Sequence, residues 1–135
     1  MSGIAVCTRV MPDPMTKKQI STQLARLERR RRALLRRLLA PHDLVRGSLS
    51  RVLQRCGKAA CHCAKEPSHA AWRLLTSRAG VQRCQFVRQD DVERMRDLVA
   101  ASKAFAKNLR ELEAIHVEQK ALLRGLREAS DIGYE

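Results

Sequence analysis

From Asp90 to Glu128 the sequence contains no proline and a single glycine, Gly125, so nothing in it stops a helix. Met95, Leu98, Phe105, Leu109, Leu112, Leu123 and Leu126 fall in one heptad register, interrupted by Ser102, His116 and Gln119. A helix of that extent is about 60 Å long at 1.5 Å per residue, and a short chain cannot bury its apolar stripe with its own core alone. It needs the chain's other helix, a second copy or another protein. Residues 15–40 supply a candidate. Thr16 or Ser21 can cap that segment, Pro41 stops it, and Ile20, Leu24, Leu27, Leu34 and Leu38 form a heptad in which Arg31 occupies the missing position. A further helix is predicted from Asp43 to Gln54, with Leu44, Val45, Leu49, Val52 and Leu53 on one face.

The middle of the chain has no such periodicity. Gly57 and Pro67 break residues 55–71, and Trp72–Ser77 and Val81–Val87 flank Arg78-Ala79-Gly80, which reads as a short β-hairpin with Gly80 at a positive φ. Cys84 shares a strand face with Phe86 there and is expected in the core. Aromatic residues make up only 3% of the 135, which excludes a β-sandwich or an aromatic-lined pocket. The expected fold is mainly α: N-terminal helices, a central knuckle-like Cys/His turn with a short hairpin, and a long C-terminal coiled-coil-like helix. The expected organisation is a flexible arm at 1–14, a basic helical region at 15–54, the knuckle and hairpin at 55–88, the long helix at 89–128 and a tail at 129–135.

Three of the five cysteines cluster, and with a histidine they read C-x4-C-x-C-x5-H: Cys56, Cys61, Cys63 and His69. An odd cysteine count with this clustering argues against a disulfide framework and for a metal site. Three soft thiolates and one imidazole suit a closed, tetrahedral, structural Zn2+ site, with Gly57 turning the chain between ligands and Arg55, Lys58 and Lys65 offsetting the thiolate charge. His62 is the rival for the fourth position, but it stands between two ligands, which favours His69. Cys7 is expected to be incidental. Four protein ligands leave no open position for a water, so the site is not read as catalytic. No Ser/His/Asp pattern, carboxylate pair or phosphate-cradling glycine loop suggests an enzyme.

Charge is uneven. Residues 1–88 hold 19 basic and 4 acidic side chains, whereas residues 89–135 hold 8 and 10. Arg29, Arg30, Arg31, Arg32, Arg36 and Arg37 lie on the first helix, where residues 15–40 carry nine basic side chains against Glu28 alone. Such a concentration repels itself unless a polyanion answers it. Double-stranded DNA is the expected partner, with Arg55, Lys58, Lys65, Arg73, Arg78 and Arg83 extending the basic surface through the knuckle and hairpin. The scarcity of aromatics favours phosphate contacts to a duplex over stacking on single strands. A membrane is not expected as a partner. The first helix is charged on every side without interfacial Trp or Phe, and no secretory signal or transmembrane run is seen, so a cytoplasmic location is expected.

Arg46-Gly47-Ser48-Leu49, then Arg55-Cys56-Gly57-Lys58-x-x-Cys61-x-Cys63-Ala64, then His69 resemble a family of small bacterial and archaeal proteins, over about residues 44–110. Its members carry R-G-S-L, R-C-G-K-x-x-C-x-C-A and H-G-x-x-x-x-L, followed by a hairpin and a long helix, and are often encoded near transposase or recombinase genes. The chain departs from that pattern at His69-Ala70-Ala71-Trp72, where the family has His-Gly and several tyrosines. The resemblance implies an accessory, DNA-associated protein of a mobile element. Together with the residues themselves it gives the leading expectation: a non-enzymatic DNA-binding accessory of a transposase or recombinase, in which the long helix self-associates or binds the recombinase. Two alternatives stand beside it: a coiled-coil adaptor whose arginines meet an acidic protein, and a thiol- or metal-responsive DNA-binding regulator sensing through Cys61 and Cys63.

Overall fold

A computed structural model describes residues 13–134; the segment 1–12, with Cys7 and most of the expected N-terminal arm, and residue 135 lie outside the described residues. The elements run in the order α1 (Lys17–Leu39), β1 (Gly47–Gln54), β2 (His69–Arg78), β3 (Val81–Val87) and α2 (Val92–Ser130), with a 3-10 turn at His62–Ala64 and another at Gln89–Asp91. No helix among the described residues is long and apolar enough to cross a membrane.

Helix α1 starts where Thr16 and Gln19 cap each other. The Gln19 amide donates to Thr16 Oγ1 at 3.2 Å, and the Thr16 amide donates to Gln19 Oε1 at 2.8 Å, which satisfies two of the amides a helix start leaves unpaired. The fold is nevertheless mixed α and β, and not mainly α with one short hairpin. About 56% of the structure is helical, and the rest of its regular structure is a three-stranded antiparallel sheet in the order β1-β2-β3.

The segment expected as a helix from Asp43 to Gln54 instead contains strand β1, which pairs along its whole length with β2 from Gly47 opposite Thr76 to Gln54 opposite His69. Its apolar residues have helix-like spacing, but helix or strand is decided there by a partner about twenty residues downstream. Gly47 is held so close to β2 that a Cβ would stand 2.6 Å from the Leu75 carbonyl oxygen. The β2–β3 turn is two residues, Ala79 and Gly80, both at positive φ (50° and 77°), the backbone form whose twist suits a hairpin.

The chain divides into two compact units, one made of the residues up to Ala33 with those from Glu113 onward, the other Leu34–Leu112. In the first, α1 and α2 run antiparallel. Ile20 and Leu27 of α1 and Ile115 of α2 are buried, and Gln119 Nε2 reaches Glu28 Oε2 at 3.4 Å. The seam in α2 differs from the expected heptad. Leu109 and Leu123 stay exposed at 41% and 52%, whereas Val92, Val99, Leu112 and Ile115 are buried. Opposing surfaces, rather than the densest line of leucines, fix which stripe is covered.

Gly125 faces Ile20, and a Cβ built on it would meet Ile20 Cδ1 at 3.7 Å, an ordinary contact. Gly125→Ala should therefore stabilise the protein by about 0.5–1 kcal/mol through helix propensity, read as a raised melting temperature.

In the second unit, one face of the sheet carries Leu49, Trp72, Leu74 and Val87, of which Leu74 is buried. Arg96 of α2 lies over the Trp72 ring at 5.4 Å, and the Val45 amide donates to the Leu98 carbonyl of α2 at 3.0 Å. The other face carries Ser48, Ser50, Arg73, Leu75, Cys84 and Phe86. Cys84 was expected in the core beside Phe86. The two do share a face, but it is the open one: Cys84 is exposed and Phe86 is 63% exposed. A three-stranded sheet with helix on one side leaves its other side to solvent.

Candidate metal centre and basic surfaces

The excursion between β1 and β2 folds back on itself in three steps. Gly57 takes a φ of +84°. The Cys61 amide donates to the Lys58 carbonyl at 3.1 Å. The 3-10 turn then closes with the Ala64 amide on the Cys61 carbonyl at 3.0 Å. His69 opens β2 opposite Gln54, so the sheet fixes both ends of the excursion.

These constraints bring together Cys56 Sγ, Cys61 Sγ, Cys63 Sγ and a ring nitrogen of His69, all within 4.8 Å of one another. Cys56 and Cys63 sulfurs are 3.3 Å apart, and Cys61 Sγ is 3.3 Å from His69 Nε2. A tetrahedron with Zn–S bonds of about 2.3 Å and a Zn–N bond of about 2.0 Å has edges of roughly 3.5–3.8 Å, so the four atoms fit such a centre with small adjustments. The cluster can hold a metal ion. Its soft donors suit Zn2+ far better than Mg2+ or Ca2+.

His62, the rival fourth ligand, points elsewhere: its Nε2 lies 2.9 Å from Ser68 Oγ and its Nδ1 3.9 Å from Cys61 Sγ. Cys63 is the buried member of the set, 1% exposed, and receives the Cys56 amide at 3.2 Å. The Lys58 amide, followed by the Cys63 thiol, lowers the Cys56 pKa. The amide from Cys56 lowers that of Cys63, but burial and the adjoining thiols outweigh it and leave the value raised. In the metal-free cluster the exposed Cys56 therefore ionises ahead of Cys63.

The predicted basic residues do not form one group. On α1, Leu27 and Leu34 are buried while Arg26, Arg29, Arg30, Arg32, Arg36 and Arg37 are exposed. At about 100° per residue these six fall on an arc of roughly 160° opposite the apolar stripe, over about 17 Å of helix. Arg26 belongs to this ridge although it lies outside the arginine run, its place given only by helical spacing from Arg29 and Arg30. Arg31 does not belong: it is half-buried, and its Nε and Nη2 donate to Glu28 at 2.8 and 2.9 Å. Arg32 reaches the same carboxylate at 3.2 Å.

These contacts, with that of Arg31 the largest, lower the Glu28 pKa from 4.5 to about 2. Glu28 therefore contributes stability that is complete above pH 4.5 and is lost as the pH falls from there through 2. Thermal melts at pH 5 and pH 2.5 should show this loss, and Glu28→Gln should reduce the difference between them.

Arg55, Lys58 and Lys65 are exposed, Arg55 just ahead of the Cys/His set and the two lysines between its members in the chain. Arg78 and Arg83 lie on the helix-facing side of the sheet at its exposed hairpin end, with Arg83 opposite Thr76. Arg73 lies on the open side, its guanidinium 5.1 Å from the centre of the Phe86 ring. Reading 43–54 as a helix hid the open face itself. Ser48 and Ser50, two apart in the sequence, were the available sign of alternation.

No curated protein and no solved structure matches the chain. One family profile does, over residues 24–97, which run from within α1 through the sheet and the Cys/His excursion into the start of α2. That span is more than half of the 135 residues. The chain belongs to the family described as a domain of unknown function, DUF6788.

Proposed function

We propose that this protein is a non-enzymatic DNA-binding protein whose centre is stapled by a structural zinc ion, and that it serves as an accessory to a transposase or recombinase. The supporting observation is the ridge of exposed arginines on α1. The part of α2 in the same compact unit as Arg26, Arg29, Arg30 and Arg32, Glu113–Ser130, carries Glu113, Glu118 and Glu128 against Lys120, Arg124 and Arg127, so it brings no net charge to offset these four. Glu28 is the one acidic residue of α1, and its oxygens are already shared by Arg31, Arg32 and Gln119. A ridge about 17 Å long, at ~1.5 Å per residue, meets several phosphates along a duplex groove, and each contact releases condensed counterions.

The zinc reading rests on the donor set. When bound, the ion would be held by Cys56, Cys61, Cys63 and His69, and would supply folding free energy to an excursion that has little core of its own. The tie to a mobile element rests on the R-G-S-L and C-G-K-x-x-C-x-C resemblance alone.

The test is fluorescence anisotropy of the full chain on a random-sequence duplex between 50 and 300 mM salt. With three to five phosphate contacts, log affinity should fall against log salt with a slope of about −3 to −5. Affinity that is flat in salt, or no duplex binding at 50 mM, would sink the DNA reading and leave the adaptor alternative.

A further inference from the structure

We infer that the open face of the sheet is a base-reading surface that enters the major groove of duplex DNA, with Arg73 as its specificity-determining residue. The inference rests on the DNA-binding reading and adds to it a second, sequence-selective contact, separate from the arginine ridge.

Charge identifies the occupant. From Arg46 to Arg88 the chain holds nine basic residues and one acid, Glu66. Arg46 adjoins one end of β1, and Arg55, Lys58 and Lys65 follow its other end. Between these cationic ends the face is nearly neutral: Ser48, Ser50, Leu75, Gln82 and Phe86 are exposed and Arg73 is half-buried. Cations at the ends of a strand suit the phosphate rows that border a groove, and neutral hydrogen-bonding side chains between them suit base edges. The dimensions agree. Three strands ~4.8 Å apart put the outer strands about 10 Å from each other, and the major groove is about 12 Å wide. A second copy of the chain would bring the cationic ends of two such faces together with almost no acidic side chain between them. With Leu75 and Phe86 as its only large exposed apolar side chains, the face is also a poor seat for an apolar protein partner.

Arg73 is prepared for recognition. The guanidinium lies over the Phe86 ring, 5.1 Å from its centre, a cation–π contact that holds it on the open face of the sheet. Its Nε is buried without a hydrogen-bond partner, and no described residue forms an ion pair with it. With Nε turned inward, it is the paired Nη donors of an arginine fork that match the two acceptors, O6 and N7, of a guanine edge.

The experiment is selection of the full, zinc-replete chain on a random duplex library, followed by anisotropy on the enriched site and on a scrambled duplex at one salt concentration. The native protein should enrich a guanine-containing site. Arg73→Lys keeps the charge and loses the planar fork, so it should lose roughly ten- to a hundredfold of the preference for that site, with affinity for the scrambled duplex and the salt slope unchanged. Ser48→Ala with Ser50→Ala, two exposed positions whose replacement leaves the fold intact, should shift or broaden the enriched site. The inference is overturned if no site is enriched, if both variants keep the native preference, or if Arg73→Lys weakens both duplexes equally, which would make Arg73 a phosphate contact. In each of those cases salt-dependent binding to the scrambled duplex persists; its loss in the native chain would mean that the DNA reading itself has failed.

Discussion

Cys63→Ser will purify with less than a tenth of the zinc carried by the native chain, which will hold about one equivalent, and its residues 55–68 will become readily cleaved by protease. Cys63 is the one described cysteine that is fully buried, and it joins Cys56 both through its sulfur, at 3.3 Å, and through the Cys56 amide, at 3.2 Å. Replacing a thiolate by a hydroxyl removes a soft ligand while nearly preserving volume, so lost coordination rather than a cavity causes the effect. Zinc binding in small modules contributes on the order of 10 kcal/mol to folding, and no other buried residue lies in the excursion to compensate for its loss. Elemental mass spectrometry and thiol counts before and after chelation check the result. Native protein that carries no zinc and whose thiols titrate freely would remove the structural-zinc reading. Cys84→Ser serves as the control: it lies on the open sheet face outside the cluster and should leave zinc content unchanged.

Replacing Arg29, Arg36 and Arg37 together with Gln should lower affinity for a random duplex about a hundredfold at 150 mM salt and reduce the magnitude of the salt slope by about 2–3. All three are exposed on the ridge and none is among the partners of Glu28. Gln is nearly as good a helix former as Arg, so circular dichroism should show α1 intact. Arg31→Gln makes the instructive contrast. It breaks the ion pair with Glu28 and should affect stability more than DNA affinity, because the half-buried Arg31 guanidinium is already held by Glu28. If the triple variant binds as tightly as the native chain, the ridge is not the DNA-contacting surface.

Both long helices could be read in the sequence because their information is local. A cap at Thr16 or Ser21, which the structure gives to Thr16, a stop at Pro41 and sustained helical periodicity each act within a turn or two. The four members of the Cys/His set were legible for a similar reason: donor chemistry and short spacing restrict them to one turn, whatever the rest of the chain does. Strand β1 was not legible, since Leu49, Val52 and Leu53 satisfy either period and only pairing with β2 separates the two. The exposed positions of Leu109 and Leu123 could not be read either, because a helix with apolar residues on several sides buries whichever stripe its neighbour meets.

By itself, then, the sequence determined what acts over a few residues: the course of the two long helices, which four side chains can share a metal, and how much positive charge α1 must carry. Tertiary structure decided what depends on distant partners. It paired β1 with β2, turned Cys84 and Phe86 to an open face, withdrew Arg31 from the ridge by giving it to Glu28, and set the Arg73 guanidinium on the Phe86 ring. Helical hydrogen bonds and neighbouring ligands close over short loops, so the local chain already encodes them; strand pairing and surface selection close over long ones, and their outcome is fixed only when the whole chain packs.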